Sequence, residues 1–324
     1  MKAIIYEHYG PPEVMRIADV PRPEPGDGEM LIRVRAAEAT KADCELRAFR
    51  FAVSWFWLPL RLGMGVFRPR RRILGTYFSG EVVELGPGVT RFSVGDEVYG
   101  GLGLHMGAYG EYVAVPEDTS IVAKPANMSF EEAAAVPLGG LNALHFLRLV
   151  GVKRGESVLV NGAGGSIGLH GVQIAKAMGA EVTAVDKSEK EEIVRCMGAD
   201  HFIDYTQQRF VDAGGTFDVV FDMVPSSSFS DCMHVLNEGG RYCTGNPRLS
   251  VMLRCLWANR FTDKTASFAF ARESLEELDA LREMIEKGQV RSIVEEVLPM
   301  ERVAEAHGRV EAETRLGAIV ISVS

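Results

Sequence analysis

Residues 158 to 190 read VLVNGAGGSIGLHGVQIAKAMGAEVTAVDKSEK and hold the densest set of residues able to do chemistry. Ala163, Gly165 and Gly168 stand in an AxGxxG frame between an apolar run and an amphipathic one. Such a turn, placed after a strand and at the start of a helix, offers main-chain amides to a phosphate. Gly165 lets the chain approach a pyrophosphate, Gly168 lets helix and strand pack closely, and the amides of Ser166 and Ile167 face the anion at the positive helix end. About 20 residues on, where such an acid reads a ribose diol, stands Asp186. This order of strand, turn, helix, strand and acid is that of an adenine dinucleotide site. Asp186 would repel a 2'-phosphate and favours NADH, whereas Lys187 and Lys190 beside it would neutralise one and favour NADPH, so NAD(P)H is expected with the choice open.

The elements that must position this turn follow from periodicity. Before residue 124 the chain alternates apolar and polar residues between Gly and Pro clusters, in MKAIIY, EMLIRVRAAEA, SGEVVELG and GEYVAVP, the pattern of half-buried antiparallel strands. From SFEEAAAVPLGGLNALHFLRLVG the spacing becomes helical, with Ser129 and Glu132 as a capping box. Strands and helices then alternate through ESVLVNG, AEVTAVD, HFIDY, FDVVFDMV and GGRYCTG, which implies a parallel sheet covered on both faces. The expected fold class is α/β: a doubly wound Rossmann cofactor domain over 124–292, and a β-rich domain formed by 1–123 and 293–324.

Composition narrows the function. A net charge of -9 argues against a nucleic-acid binder, and 47% hydrophobic side chains over 324 residues allow two cored domains. Five irregularly spaced cysteines with no CxxC pair, and an N-terminus without the apolar core of a signal peptide, suggest a reducing cytoplasm. The apolar run AVSWFWLPLRLGMGVF (52–67) is broken by Pro59 and Arg61, falls short of the roughly 20 residues of a spanning helix, and leads into RPRRR (68–72). It reads as a lip over a substrate mouth or as a buried insertion, with membrane contact the least favoured of the three.

Seven ordered segments, MKAIIYEHYGPPEV, GPGVTRFSVGDEVYG, GAYGEYVAVP, EEAAAVPLGGLNALHFL, NGAGGSIGLHGVQIAKAMGAEV, MGADHFIDY and AEAHGRVEAETRLGAIVI, are spread over nearly the whole length. Through them the chain resembles the medium-chain dehydrogenase/reductase superfamily, in its zinc-free quinone oxidoreductase branch. The resemblance implies a GroES-like catalytic domain, an active-site cleft between the domains, and a homodimer. Where zinc-dependent relatives place metal ligands, this chain has Thr40, Thr76 and the apolar VPL near Pro137, so no metal site is expected. The implied substrate is a small electrophile, a quinone or an enone or alkenal, that accepts hydride directly. By the same resemblance Thr40 and Tyr77 lie near the nicotinamide and would donate hydrogen bonds to a developing oxyanion, Asp43 belongs to that neighbourhood, Gly245 and Asn246 line the nicotinamide end, Asn142 lies near the cofactor and Tyr205 approaches the adenosine ribose. Tyr77 has the alternative of simple packing, and Asp43 that of a structural hydrogen bond. Tyr77, Thr40 and Pro225 depart from the residues usual in that branch, where an acid, an asparagine and a glycine stand. An enoyl-thioester reductase acting in trans and a non-catalytic dinucleotide-binding redox sensor stay open as alternatives.

Overall fold

The computed structural model describes residues 1–51, 57–245, 247–269, 273–313 and 315–323. They group into two compact units, Met1–Leu138 with Glu273–Glu286 and Ser292–Ser324, and Gly139–Arg272 with Lys287–Arg291. The first carries strands β1 (Lys2–Tyr6), β2 (Met15–Asp19), β3 (Glu29–Ala39), β4 (Tyr77–Leu85), β5 (Glu97–Gly101), β6 (Tyr112–Pro116) and β7 (Ile121–Ala123), with helices α1 (Lys41–Ala48), α2 (Trp57–Met64) and α3 (Phe130–Ala134). Helix α4 (Pro137–Val150) leads into the second unit. That unit carries β8 (Ser157–Asn161), α5 (Ser166–Ala177), β9 (Glu181–Asp186), α6 (Glu191–Cys196), β10 (His201–Asp204), β11 (Phe217–Asp222), α7 (Phe229–His234), β12 (Leu236–Gly245), α8 (Leu249–Phe261) and β13 (Thr265–Ala269). Helix α9 (Leu275–Glu286), β14 (Val294–Pro299), α10 (Val303–Ala312) and β15 (Ala318–Ser322) belong to the first unit.

In the second unit six parallel strands run in the order β10-β9-β8-β11-β12-β13. Val158, Leu159 and Val160 of β8, and Val219, Val220 and Phe221 of β11, are fully buried, as continuous apolar strands covered on both faces must be. The order places the ends of β8 and β9 side by side, with β11 on the far side of β8.

The first unit is built around β3, eleven residues long, which pairs antiparallel with β4, β6 and β15. Register shifts at Leu31/Ile32 and Val34/Ala36 bend it so that one strand serves three partners. The strand, helix and strand at the C-terminus join this sheet through β15. Residues 124–138 and α9 also group here, unlike the sequence borders. Small alanines explain the first case, because Ala134 and Ala135 pack tightly on Ala36, Ala318 and Val320. Backbone acceptors on α9 explain the second: Tyr99 Oη donates to Leu278 O at 3.2 Å, and Asn127 Nδ2 to Ile285 O at 3.0 Å.

The capping box at Ser129 and Glu132 forms, but α3 stops at Ala134 and a new helix starts at Pro137, where the ring is tolerated only in a first turn. In the 52–72 segment, residues 52–56 lie outside the described residues. Helix α2 is pinned by Arg61, whose guanidinium lies 4.1 Å from the Tyr9 ring centroid and 4.3 Å from that of Phe49. Among the described residues no helix is long and apolar enough to cross a membrane. A groove of about 610 Å³ runs beside α2, lined by Pro59, Leu60, Met64, Arg70, Arg71 and Leu104.

Candidate active site

In the second unit the glycine turn is built as its spacing requires. Gly168 sits where a Cβ would come within 2.1 Å of Gly162 O and 2.6 Å of the Ala163 Cα, so no side chain fits between α5 and β8. Gly165 is the reverse case: it is exposed, and a Cβ there would meet nothing closer than 3.5 Å. That open side lies over the N-terminus of α5, which no side chain caps. The first-turn amides of Ser166 and Ile167 therefore have no intrahelical acceptor and suit an anion. Ala163 is fully buried and ties the turn to β9 through a 3.1 Å bond to Val185 O.

Asp186, at the tip of β9, is buried and knitted to the same turn. Its Oδ2 accepts from Gly164 N at 2.7 Å and its Oδ1 from Lys187 N at 2.9 Å. Each oxygen keeps a lone pair for a ribose hydroxyl. Lys190 lays its stem across Gly164 and donates from Nζ to Gly164 O at 3.2 Å, while Lys187 is exposed. Tyr205 is joined to Asp186 by its backbone amide at 3.2 Å and leaves its ring half exposed. Turn, acid, lysine and tyrosine thus converge at one end of the sheet, and an adenine dinucleotide fits them. Asn142 is buried on α4, and Gly245 ends β12 against the Phe146 ring. Asn246 lies outside the described residues.

Thr40, Asp43 and Tyr77 lie in the first unit. Thr40 is the N-cap of α1 and Asp43 its third residue, and the two form a reciprocal capping box. Thr40 Oγ1 accepts from Asp43 N at 3.0 Å and donates to Asp43 Oδ2 at 2.6 Å. Asp43 also accepts from Gly75 N at 3.2 Å and from Thr76 Oγ1 at 3.5 Å. Burial pushes its carboxyl up to about 6, and these donors hold it back from rising further. Both side chains are fully buried and bond each other.

Behind Asp43 runs a chain the sequence reading did not single out. Arg47 Nη1 lies 3.0 Å from His307 Nδ1, and His307 Nε2 lies 3.0 Å from Tyr109 Oη. A guanidinium only donates, so Nδ1 accepts and Nε2 carries the hydrogen. Burial, and then Arg47, push His307 down to about 3, so it stays neutral.

Tyr77 is buried at the start of β4, directly opposite Gly101 of β5. Its phenol has the Glu273 carboxyl beside it, standing where a Gly101 side chain would be, and burial followed by Glu273 holds its pKa well above the ordinary value. Glu273 in turn is raised by burial, an effect the bond from Tyr77 opposes. Glu38 of β3, one step beyond the Ala37–Phe78 pair, flanks Tyr77 on its other side. It is fully buried, and neither carboxyl oxygen has a hydrogen-bond partner among the described residues. Neither acid was legible as a site residue, since Glu38 occupies an ordinary strand position and Glu273 is 196 residues from Tyr77 along the chain. Another unpredicted cluster, in the second unit, has Asp222 accepting from Asn161 Nδ2 at 2.9 Å and Tyr242 Oη at 3.1 Å. Among the described residues no group of three or more His, Cys, Asp or Glu is arranged to hold a metal ion.

Comparison with known proteins agrees with this architecture. Residues 26–126 match the alcohol dehydrogenase GroES-like domain family, and 197–321 match the zinc-binding dehydrogenase family. The chain is 30% identical to a quinone oxidoreductase of Pseudomonas aeruginosa, over 99% of both chains. It is 34% identical to a 2-methylene-furan-3-one reductase of Solanum lycopersicum over 74% of its own length, and spans 61% of that protein. The solved quinone oxidoreductase of Coxiella burnetii superposes with a TM-score of 0.88 at 29% identity, covering 100% of this chain and 99% of that one. A parallel sheet with a dinucleotide turn, joined to a GroES-like unit, defines a nicotinamide-dependent oxidoreductase class. The chain belongs to the medium-chain dehydrogenase/reductase superfamily, in its quinone oxidoreductase-like branch.

Proposed function

We propose that this protein is a zinc-independent NAD(P)H-dependent oxidoreductase that reduces a quinone or an activated carbon-carbon double bond in an enone or alkenal. The observation that carries the reading is the uncapped N-terminus of α5, with open space above Gly165 and Asp186 at the neighbouring strand tip. Bound there, a dihydronicotinamide dinucleotide supplies hydride to the conjugated carbon of the acceptor. The chain's own part is to bind the pyrophosphate and ribose, and to meet the charge that builds on the acceptor's oxygen. Tyr77 is the group we assign to that oxygen, as hydrogen-bond donor and proton source. Thr40 and Thr76 have the wrong chemistry for zinc ligands, and both hydroxyls donate to Asp43. The relatives' names, an oxidoreductase of quinones and a reductase of a conjugated ketone, support the acceptor class.

The cofactor domain is taken as the part of the chain that carries the parallel sheet, β8 to β13, and the working form as a cytoplasmic homodimer. The test is loss of dihydronicotinamide absorbance with chelator-treated protein, NADPH and NADH separately, against quinones, enones, alkenals and an enoyl thioester. Turnover of quinones or enones without metal supports the proposal. Turnover of the thioester alone favours an enoyl-thioester reductase, and cofactor binding with no turnover favours a redox sensor.

A further inference from the structure

Tyr77 presents a problem that its neighbours resolve. A phenol has one hydrogen to donate, and here the Glu273 carboxyl stands beside it to take that hydrogen. If Glu273 is a carboxylate, Tyr77 must donate to it and has nothing to offer a substrate oxygen. When Glu273 carries a proton, the carboxyl donates to the phenol oxygen and the Tyr77 O–H is released. The placement is built into the sheet. Gly101 is the cross-strand partner of Tyr77, and a Cβ there would fall 2.9 Å from all three carboxyl atoms of Glu273, so the carboxyl fills the place of a missing side chain opposite the phenol. On the other flank stands Glu38, buried without a partner.

We propose that Glu273 is a positioning residue for Tyr77, a proton-carrying partner whose protonated form turns the phenol O–H toward the substrate and whose proton refills the phenol after each transfer. The idea rests on the reductase reading above and deepens it. In the step, an O–H bond forms on the acceptor oxygen as the Tyr77 O–H breaks; the Tyr77 O–H re-forms as the Glu273 O–H breaks; and Glu273 regains a proton from water. One proton from solvent thus accompanies one hydride. The charged or titratable groups facing this pair are Glu38 on β3 and Asp43 on α1, both acids that disfavour charge on the phenol, while Arg315 acts on Glu38. Burial raises Glu273 from its ordinary value, and Tyr77 opposes the rise.

Two readouts test this. The first is the pH profile of turnover: in the wild type kcat falls as pH rises through the Glu273 titration. In Glu273→Gln, whose amide can donate to the phenol and does not titrate, the profile is flat over that range. The second needs no turnover: beside the carbonyl bands of Glu38 and Asp43, one further infrared band of a protonated carboxyl titrates in the wild type, is missing in Glu273→Gln, and titrates at higher pH in Tyr77→Phe, which has lost the phenol beside the carboxylate. A Glu273→Gln profile that keeps the wild-type fall, or a Tyr77→Phe band that titrates as in the wild type, overturns the proposal. If no acceptor is turned over while the band shifts as described, the reductase reading fails and the pairing stands.

Discussion

At the scale of single residues, the proposed cofactor choice rests on two side chains over one turn. Asp186 spends one lone pair of each oxygen on the turn's amides and has one of each left for a ribose diol, while the Lys190 ammonium is held against Gly164 O. Replacing Asp186 by Ser removes the charge that opposes a 2'-phosphate, and kcat/KM should shift toward NADPH by 10-fold or more, a loss of the order that one charged hydrogen bond supplies. Replacing Lys190 by Ala should raise KM for NADPH and leave NADH nearly unaffected. Unchanged ratios in steady-state assays of both variants would remove these residues from cofactor selection. The opposite behaviour of Gly165 and Gly168 belongs at this scale too: one keeps space for a ligand, the other for a packed strand. Their spacing is readable in the sequence because both demands act on neighbours in the chain. The engagement of Tyr77 with Glu273 was not, since nothing local to either residue marks it.

At the scale of elements, β3 carries an acid into an apolar layer. Burial pushes Glu38 up to about 8 from an ordinary 4.5. Its folded pKa is raised, so between pH 4.5 and 8 the unfolded chain releases a proton that the folded chain keeps, and stability declines as pH rises through that window. The full effect of such a shift is on the order of 5 kcal/mol. Glu38→Gln removes the titration and keeps the shape, so in denaturant titrations its advantage over the wild type should be larger at pH 8 than at pH 5. An equal difference at both would show that Glu38 is not held protonated. His307 works in the other direction: its folded pKa is depressed, so its contribution is complete above about 6.5 and is lost as pH falls toward 3. Both effects arise where a strand or helix delivers a titratable group to a core it did not choose locally. The capping box at Thr40 and Asp43 shows the converse, an arrangement made within four residues of the chain, in which the two side chains bond each other.

At the scale of the whole molecule, the second unit leaves an apolar stripe uncovered. Leu249, Leu253, Leu256, Trp257 and Phe261 of α8 are each more than half exposed, beside β13 at the open end of the parallel sheet. A row of this kind next to an unpaired strand edge suits a second copy of the chain. Light scattering on the wild type should give a dimer, and Leu253→Glu with Trp257→Glu a monomer; a monomeric wild type would end the dimer reading. The fold class, the alternation of strands and helices, the glycine turn and its acid were determined by the sequence itself, because periodicity and turn chemistry act over a few residues. The family could be read there as well, from motifs in order along the chain. What only the tertiary structure decided is which distant groups share a space: Glu38 and Glu273 on either side of Tyr77, His307 and Arg47 behind Asp43, and the grouping of α9 with the first unit. Those depend on strand pairing and burial, and a residue's type along the chain does not state what will stand opposite it in a sheet.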